Sequence, residues 1–391
     1  MDSKAKRRLF GIVALAFFVL ALSMIITGAV LPEWIEVFGV TPGRAGRLFF
    51  LFYLTYIITT FLSGILGDRF GKKPILVIGQ ACLAGGFLVV GTAPTFHIVE
   101  IGMLLLGLGG GCSEAPFTTL VSEVFAGREG SALNLSQVSF GVGAAAGPFL
   151  AGYLLDVGMS WRFLYLVPGA VSLFLLSMLG RERTLFKAEK ATFSLREVPV
   201  LFRKRGFFLA LSFAVMILYV GAEIGSSSWI STYVVRELGG SIYQGGLALA
   251  GFWGMITVGR LVFAGLARHY SYQGLLRFSA ALSLGFLLLL LPAQRVELAI
   301  GAFMGVGLGY SAIWPLIVAV VARGVDTMKM TAISLVVAFG GIGALTFPWL
   351  LGIFSERGGF RVIFPVVVFL VIAMGVLLFS PRFNENERSE I

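Results

Sequence analysis

Long apolar runs alternate with short polar breaks along the whole chain. Runs of spanning length, bounded by charges, fall at about 9–31, 45–67, 74–95, 98–122, 131–155 and 161–180. After one long polar stretch (RERTLFKAEKATFSLREVPVLFRKRG, 181–206) they resume at about 207–235, 243–267, 273–292, 296–322, 328–354 and 360–380. A hydrocarbon core is crossed by about 20 consecutive apolar residues in helical form, so each run predicts one transmembrane helix. The pattern is six plus six. It predicts an all-α polytopic membrane protein with a six-helix bundle at 1–180, a basic linker at 181–206, and a second bundle at 207–391 that ends in a short tail.

Composition agrees. Hydrophobic residues make up 58% of the 391 and charged residues 13%, whereas soluble domains carry about a quarter charged residues. No polar segment is long enough to house a soluble domain. The opening MDSKAKRR is followed by an apolar run to Val30, longer than the apolar region of a cleaved signal peptide, so it predicts a retained first helix.

The net charge of +10 could suggest nucleic acid, but its distribution does not. With the N-terminus inside, roughly 22 of the 30 lysines and arginines fall in the even-numbered connections, the linker and the termini, an excess of the kind that holds such loops in the cytoplasm. Both termini are therefore expected to be cytoplasmic, in a prokaryotic cell (inner) membrane, with lipids and not nucleic acid as surroundings. The linker reads either as a solvated tether or as carrying an amphipathic helix around Phe193–Phe202 that lies on anionic lipid.

The chain repeats itself at an offset of about 200. GLGGGCSEAP (107–116) faces GVGLGYSAIWP (305–315), which sets Glu114 against Ala312, and FGVGAAAGPFLAG (140–152) faces FGGIGALTFPWLLG (339–352). The repeat unit has an even number of helices, so the two copies share one orientation. A substrate site is then expected between them near the midplane. Pro116, Pro148, Pro315 and Pro348 stand inside predicted helices and should kink them.

Few polar groups lie deep in the apolar runs, and those that do are costly there and are functional candidates. Glu114 is in the fourth run and Glu223 in the seventh, on one helical face with Tyr219, Ser226 and Tyr233. Asn134 and Gln137, three apart in the fifth run, can donate and accept hydrogen bonds to hydroxyls. Tyr310 and Trp314 are four apart in the tenth, where a Trp can stack on a sugar face and offer its N–H. Arg260, on one face with Trp253 and Thr257, lies toward the cytoplasmic third of the eighth run and reads as a gating or structural cation. Tyr53, Tyr56 and Gln80 are weaker candidates. Glu114 and Glu223 are the proton-coupling pair, and Gln137, Asn134, Trp314, Tyr310, Glu223, Ser226 and Tyr219 the substrate-binding set. The alternative for each is packing or an interhelical hydrogen bond. Cys82 and Cys112 sit in apolar runs and read as packing residues; His97 and His269 are far apart near helix ends. No metal-ligand spacing, zinc-hydrolase H-E-x-x-H string or mid-membrane Ser–His pair exists, so neither an enzyme nor a metal or other cofactor is expected.

The connection between the second and third runs reads GILGDRFGKK, with Gly64, Asp68, Arg69, Gly71, Lys72 and Lys73. This string resembles the G-x-x-x-D-[RK]-x-G-[RK]-[RK] signature of the major facilitator superfamily at every specified position. The resemblance implies the two-bundle major facilitator fold, a transport function by alternating access, and a latch in this loop. Asp68 would then meet the start of the eleventh helix near Thr327–Thr331, Arg69 would pair with Glu123, and Gly71 and Lys72 would complete the gate. The corresponding loop of the second half, AGLARHY (264–270), lacks an acid. More narrowly, YVGAEIGSSSWISTYVV (219–235) and the fourth and fifth runs look like the fucose–proton symporter branch, which includes hexose carriers. In that branch a fourth-helix glutamate is central and a fifth-helix Asn-x-x-Gln lies nearby, matching Glu114 and Asn134–Gln137. Here the first run has no carboxylate before Glu33 and Glu36 at its end. The implied function is proton-coupled uptake of a monosaccharide or similar small polar solute by a monomer. The alternative is a proton-coupled multidrug efflux antiporter, to which GVGAAAGP in the fifth run is similar.

Overall fold

A computed structural model describes residues 3–125, 129–181, 198–325 and 329–380. The bulk of the linker, including residues 193–197 of the Phe193–Phe202 segment, lies outside the described residues, as do Thr327 and the tail; from Val198 the segment is helical. Twelve of the described segments are helical and apolar enough to cross a membrane, as the hydrophobic pattern predicts. The helices are α1 (Ser3–Val37), α2 (Pro42–Phe70), α3 (Lys72–Gly91), α4 (Phe96–Val124), α5 (Glu129–Asp156), α6 (Phe163–Arg181), α7 (Val198–Arg236), α8 (Ile242–Leu266), α9 (Tyr272–Leu290), α10 (Val296–Tyr310), α11 (Ile313–Gly324), α12 (Lys329–Gly358) and α13 (Ile363–Leu378). The outward faces are apolar, with Leu261 and Phe369 both about two-thirds exposed, as a chain solvated by lipid requires.

Two breaks carry information. The tenth span divides into α10 and α11 at Ser311–Ala312, just before Pro315. Proline has no N–H for the carbonyl four residues back, and that carbonyl belongs to Ser311. Pro116, Pro148 and Pro348 stand inside helices that continue through them. The second break is at Arg205 (φ −134°, ψ 23°), which separates a short helix after the linker from the membrane part of α7.

The repeat is visible in three dimensions and its register is 200. A Cβ on Gly107 of α4 would collide with the Phe52 carbonyl oxygen of α2, and one on Gly307 of α10 with the Phe252 carbonyl oxygen of α8. Gly109 lies 2.6 Å, by the same construction, from the Leu83 nitrogen, and Gly309 2.6 Å from the Ser283 nitrogen. This corrects the sequence alignment of the two glycine-rich strings, which runs two residues short. At register 200 the number that answers to Glu114 is 314, a tryptophan, not Ala312. Small residues let helices approach this closely in lipid, and hydroxyls then bond across the seam: Thr55, Thr59 and Ser63 of α2 donate to the Leu104, Leu108 and Gly111 carbonyls of α4 at 2.9, 3.2 and 3.3 Å.

The two bundles meet through the same register. α2 packs on α12 and α5 on α8. Gly46 would place a Cβ 3.0 Å from the Pro348 carbonyl oxygen and Gly246 one 2.5 Å from that of Pro148; in mid-membrane, Gly141 meets Thr257 and Gly341 meets Ile57. Along α1 and α7, Gly28 sits against Ser227, its near-counterpart, which marks the axis relating the halves. The end of the molecule away from the two termini is sealed by polar contacts between halves. Helices α2 and α8 begin with the hydroxyl caps Thr41 and Ser241, which accept from the Arg44 and Gln244 N–H groups. Each then receives a carboxylate from the other half. The Gly43 N–H donates to Glu356 Oε1 of α12 at 2.9 Å, and the Tyr243 N–H donates to Asp156 Oδ1 of α5 at 3.4 Å. These backbone N–H groups have no partner within their own helix, and the helix dipole favours an anion there. Arg236 closes the same end by donating to Glu36 Oε2 at 2.8 Å and to the Pro32 carbonyl at 2.9 Å. Trp229 Nε1 donates to the Pro348 carbonyl at 2.9 Å.

Candidate substrate and proton site

Near the middle of the sandwich of bundles the second half brings three helices together around one carboxyl group. Glu223 is buried on α7. One helical turn earlier, Tyr219 points its hydroxyl at it and donates to Oε1 at 2.7 Å. The same oxygen of Tyr219 lies 3.2 Å from the Tyr310 carbonyl, at the end of α10, where the helix breaks and leaves that carbonyl available. The Tyr219 and Tyr310 rings stand edge to face at 5.9 Å, and Tyr310 meets Phe252 of α8 in the same manner at 6.0 Å. Arg260 of α8 is half-buried, and its charge acts on both Glu223 and the Tyr219 hydroxyl. The Ser226 and Tyr310 hydroxyls neighbour each other, yet neither completes a hydrogen bond, and Trp253 Nε1 is likewise buried without a partner among the described residues.

The first half faces this group with Tyr53 and Glu114. Tyr53 of α2 is buried and lies within electrostatic reach of both Glu223 and Glu114. Glu114 is half-buried on α4; its backbone carbonyl accepts from Thr118 at 2.8 Å, and its carboxylate has no cation within 4 Å among the described residues. The aromatic wall continues with Tyr53 and Tyr56, whose rings lie 6.1 Å apart.

The structure thus draws together Glu223, Tyr219, Ser226 and Tyr310. Arg260, expected at the gate, has no carboxylate within 4 Å among the described residues, and its neighbour Gly259 packs against Ser311, next to Tyr310. Tyr53, a weaker candidate by sequence, is buried on α2 with its ring against Phe52 and Tyr56. Gln137 is exposed on α5, and Trp314, at the start of α11, is 39% exposed without a ring contact among the described residues. Gln80 is buried at the α3–α4 seam, where its Nε2 faces Ser113 Oγ at 3.4 Å, away from the carboxyl groups.

Of the expected latch, Arg69 is exposed and lies over the Phe70 ring. Gly71 caps α2 at φ 86°, its N–H bonded to the Gly67 carbonyl at 2.9 Å, a conformation that favours glycine. Lys72 opens α3 and Lys73 Nζ reaches the Gly180 carbonyl at 3.1 Å. The side chains of Asp68, Glu123, Asn134 and Thr331 lie outside the described residues.

Comparison with known proteins agrees with this architecture. The family model of the Major Facilitator Superfamily matches residues 13–325. The chain belongs to the Major Facilitator Superfamily. It is a multi-pass integral membrane transporter of that fold. Over 392 aligned residues it is 23% identical to a TsgA homologue of Serratia proteamaculans (strain 568), covering 100% of this chain and 98% of that protein. A bacterial homologue of the human lysosomal transporter Spinster, solved in an inward-facing and unoccupied conformation, superposes with a TM-score of 0.83 at 13% identity, covering 99% of both chains. A D-xylose–proton symporter superposes at 0.77 and 13% identity, covering 95% of this chain and 96% of that one. At these identities the two structures speak for the superfamily fold alone. The superfamily's two bundles are the two copies of the 200-residue repeat, and the cluster around Glu223 is built from α7, α8 and α10 of the second.

Proposed function

We propose that this superfamily member is a proton-coupled importer of a small polar solute of monosaccharide size. It works as a monomer in a prokaryotic inner membrane with both termini in the cytoplasm. The observation that carries this reading is a carboxyl group inside the membrane in each half, Glu223 buried on α7 with the Tyr219 hydroxyl donating to it at 2.7 Å and Glu114 half-buried on α4. A carboxyl group among apolar side chains is costly to ionise. Each acid can therefore take up a proton on one side of the membrane and release it on the other as the halves rock. Polar tips on aromatic bodies suit a hydroxylated ring, which offers apolar C–H faces and hydroxyl edges. The solved D-xylose–proton symporter of the same fold is consistent with such a cargo. Efflux of lipophilic cations is disfavoured because Arg260 puts a positive charge in the same space.

With the termini inside, the sealed end faces outward and the conformation is inward-facing. Asp68, Arg69, Gly71, Lys72 and Glu123 form the latch that closes the opposite, cytoplasmic end in the alternate state. The deciding experiment is uptake into proteoliposomes under an imposed inward proton gradient. Accumulation above equilibrium is expected for the wild type and is expected to vanish in Glu114→Gln. Accumulation that persists in that variant removes Glu114 from the proton path.

A further inference from the structure

We infer that the solute is a monoanion, specifically a hydroxylated monocarboxylate of sugar-acid type, held by Arg260 with Trp253, Ser226 and Tyr310; the inference rests on the transport reading above and names its cargo. A guanidinium in a membrane span is expensive and is normally paired. Five arginines near helix ends follow that rule. Arg47, Arg236 and Arg361 reach the carboxylates of Glu100, Glu36 and Glu237, and Arg162 and Arg277 reach the Ala93 and Leu378 carbonyls. Arg260 lies six residues before the end of α8, about as deep as Arg47 and Arg277 lie in α2 and α9, and differs from them in its partners. Among the described residues it has no acid within 4 Å and no hydrogen bond. Glu223 is near enough to feel its charge, but the Tyr219 hydroxyl already occupies Glu223 Oε1 at 2.7 Å.

The fold does not require the charge. At register 200 the position of Arg260 is taken in the first half by Thr60, whose hydroxyl folds back on the Tyr56 carbonyl at 2.7 Å. A threonine suffices to pack that place, so the arginine is additional to packing. Its reach is suitable. Arg260 lies about 9 Å from the end of α8 by helical rise, and side chains on a helix lean toward its N-terminus, which in α8 is toward the membrane middle. Trp253 is two turns away on that same face.

The ligand chemistry follows from the unfilled hydrogen-bonding capacity. A planar guanidinium matches a carboxylate in a bidentate fork. Trp253 Nε1 can only donate, while the Ser226 and Tyr310 hydroxyls can donate or accept. Trp253 Nε1 is buried without a partner among the described residues, the Ser226 and Tyr310 hydroxyls are buried and face only each other, and the three are carried by the helices that surround Glu223. Together they offer one anion site beside several hydroxyl sites on aromatic walls. A phosphate dianion fits less well, because two carboxyl groups, Glu114 and Glu223, stand in the same cluster with one cation to balance them.

The test uses the full-length purified protein, with D-glucuronate and D-gluconate as anionic probes and D-glucose as the neutral one. Thermal stabilisation and calorimetric binding are expected for at least one acid and not for D-glucose. Arg260→Gln should weaken acid binding at least tenfold, with the unliganded melting temperature as the check on folding, and Arg260→Lys should restore part of the affinity. D-glucose binding as tightly as the acids, absence of binding by either acid, or undiminished acid binding to Arg260→Gln overturns the inference. Uptake separates the two claims. Proton-driven accumulation of D-glucose without acid binding overturns the anion site and leaves the transport reading intact. Arg260-dependent acid binding without gradient-driven uptake upholds the anion site and overturns proton-coupled import.

Discussion

Thr60 and Arg260 occupy one place in the two bundles, and so do Tyr53 and Trp253. Both halves build the same scaffold: glycine-backed α2–α4 and α8–α10 seams, hydroxyl caps at Thr41 and Ser241, and a carboxylate lent to the other half by Glu356 and Asp156. The difference lies in what is mounted on it. The second half carries the cation, the bonded Tyr219–Glu223 pair and the broken helix that frees the Tyr310 carbonyl. The first half carries a half-buried acid with no cation of its own. Symmetry serves the motion, since two like interfaces can exchange one sealed end for the other. On the proposed function, asymmetry serves the cargo, since solute and proton need different partners.

The largest effect is expected where the symmetry is tightest. Gly246→Leu drives a side chain into a place where a Cβ already lies 2.5 Å from the Pro148 carbonyl oxygen. Overpacking costs about 1–3 kcal/mol, which should move the population away from the sealed state by about five- to 150-fold. Gly46→Leu should do the same from the other side. The readout is labelling of a cysteine placed at position 243. If only one of the two variants raises labelling, the interfaces are not equivalent.

The acids should separate next. Glu114→Gln should abolish gradient-driven uptake while leaving solute exchange at equal pH near the wild-type rate. Glu223→Gln should weaken both, by roughly tenfold or more, because the Tyr219 hydroxyl loses a charged acceptor worth about 1.5–3 kcal/mol. Indistinguishable phenotypes would remove the division of labour between the halves.

The carboxylate caps come third. Glu356→Gln and Asp156→Asn each remove a charge from a helix N-terminus, worth about 0.3–1 kcal/mol. Each should broaden spin-label distances across the sealed end modestly, and the pair together about additively. The smallest change is expected for Thr59→Val in the α2–α4 seam. It loses one interhelical hydrogen bond of about 0.6 kcal/mol and should lower the melting temperature slightly without altering uptake.

Legibility differed by kind of feature. The twelve spans were readable because lipid imposes length and apolarity on each segment separately, so every boundary is a local property. The repeat was readable in outline, but its register slipped by two at the glycine-rich strings. Gly107, Gly109 and Gly111 look alike in sequence, and only their different neighbours distinguish them. Glu114, Glu223 and Tyr219 stood out as polar groups in apolar runs. Tyr53 did not, because a tyrosine on an apolar face is usually packing. The caps from Asp156 and Glu356 escaped notice because acids at span ends are ordinary. Their meaning depends on a helix from the other half beginning beside them.

The amino-acid sequence by itself determined the spans, the two-bundle repeat and the family, since hydropathy, periodicity and the GILGDRFGKK loop are written in consecutive residues. Tertiary structure decided which polar groups face one another: that Tyr219 donates to Glu223 and reaches the Tyr310 carbonyl, that Arg260 has no ion pair among the described residues, and that one end is sealed. Those facts depend on the rotation and depth of helices that lie far apart in the chain. In lipid, that placement is set by close packing of small residues across seams and not by the hydropathy of any one segment.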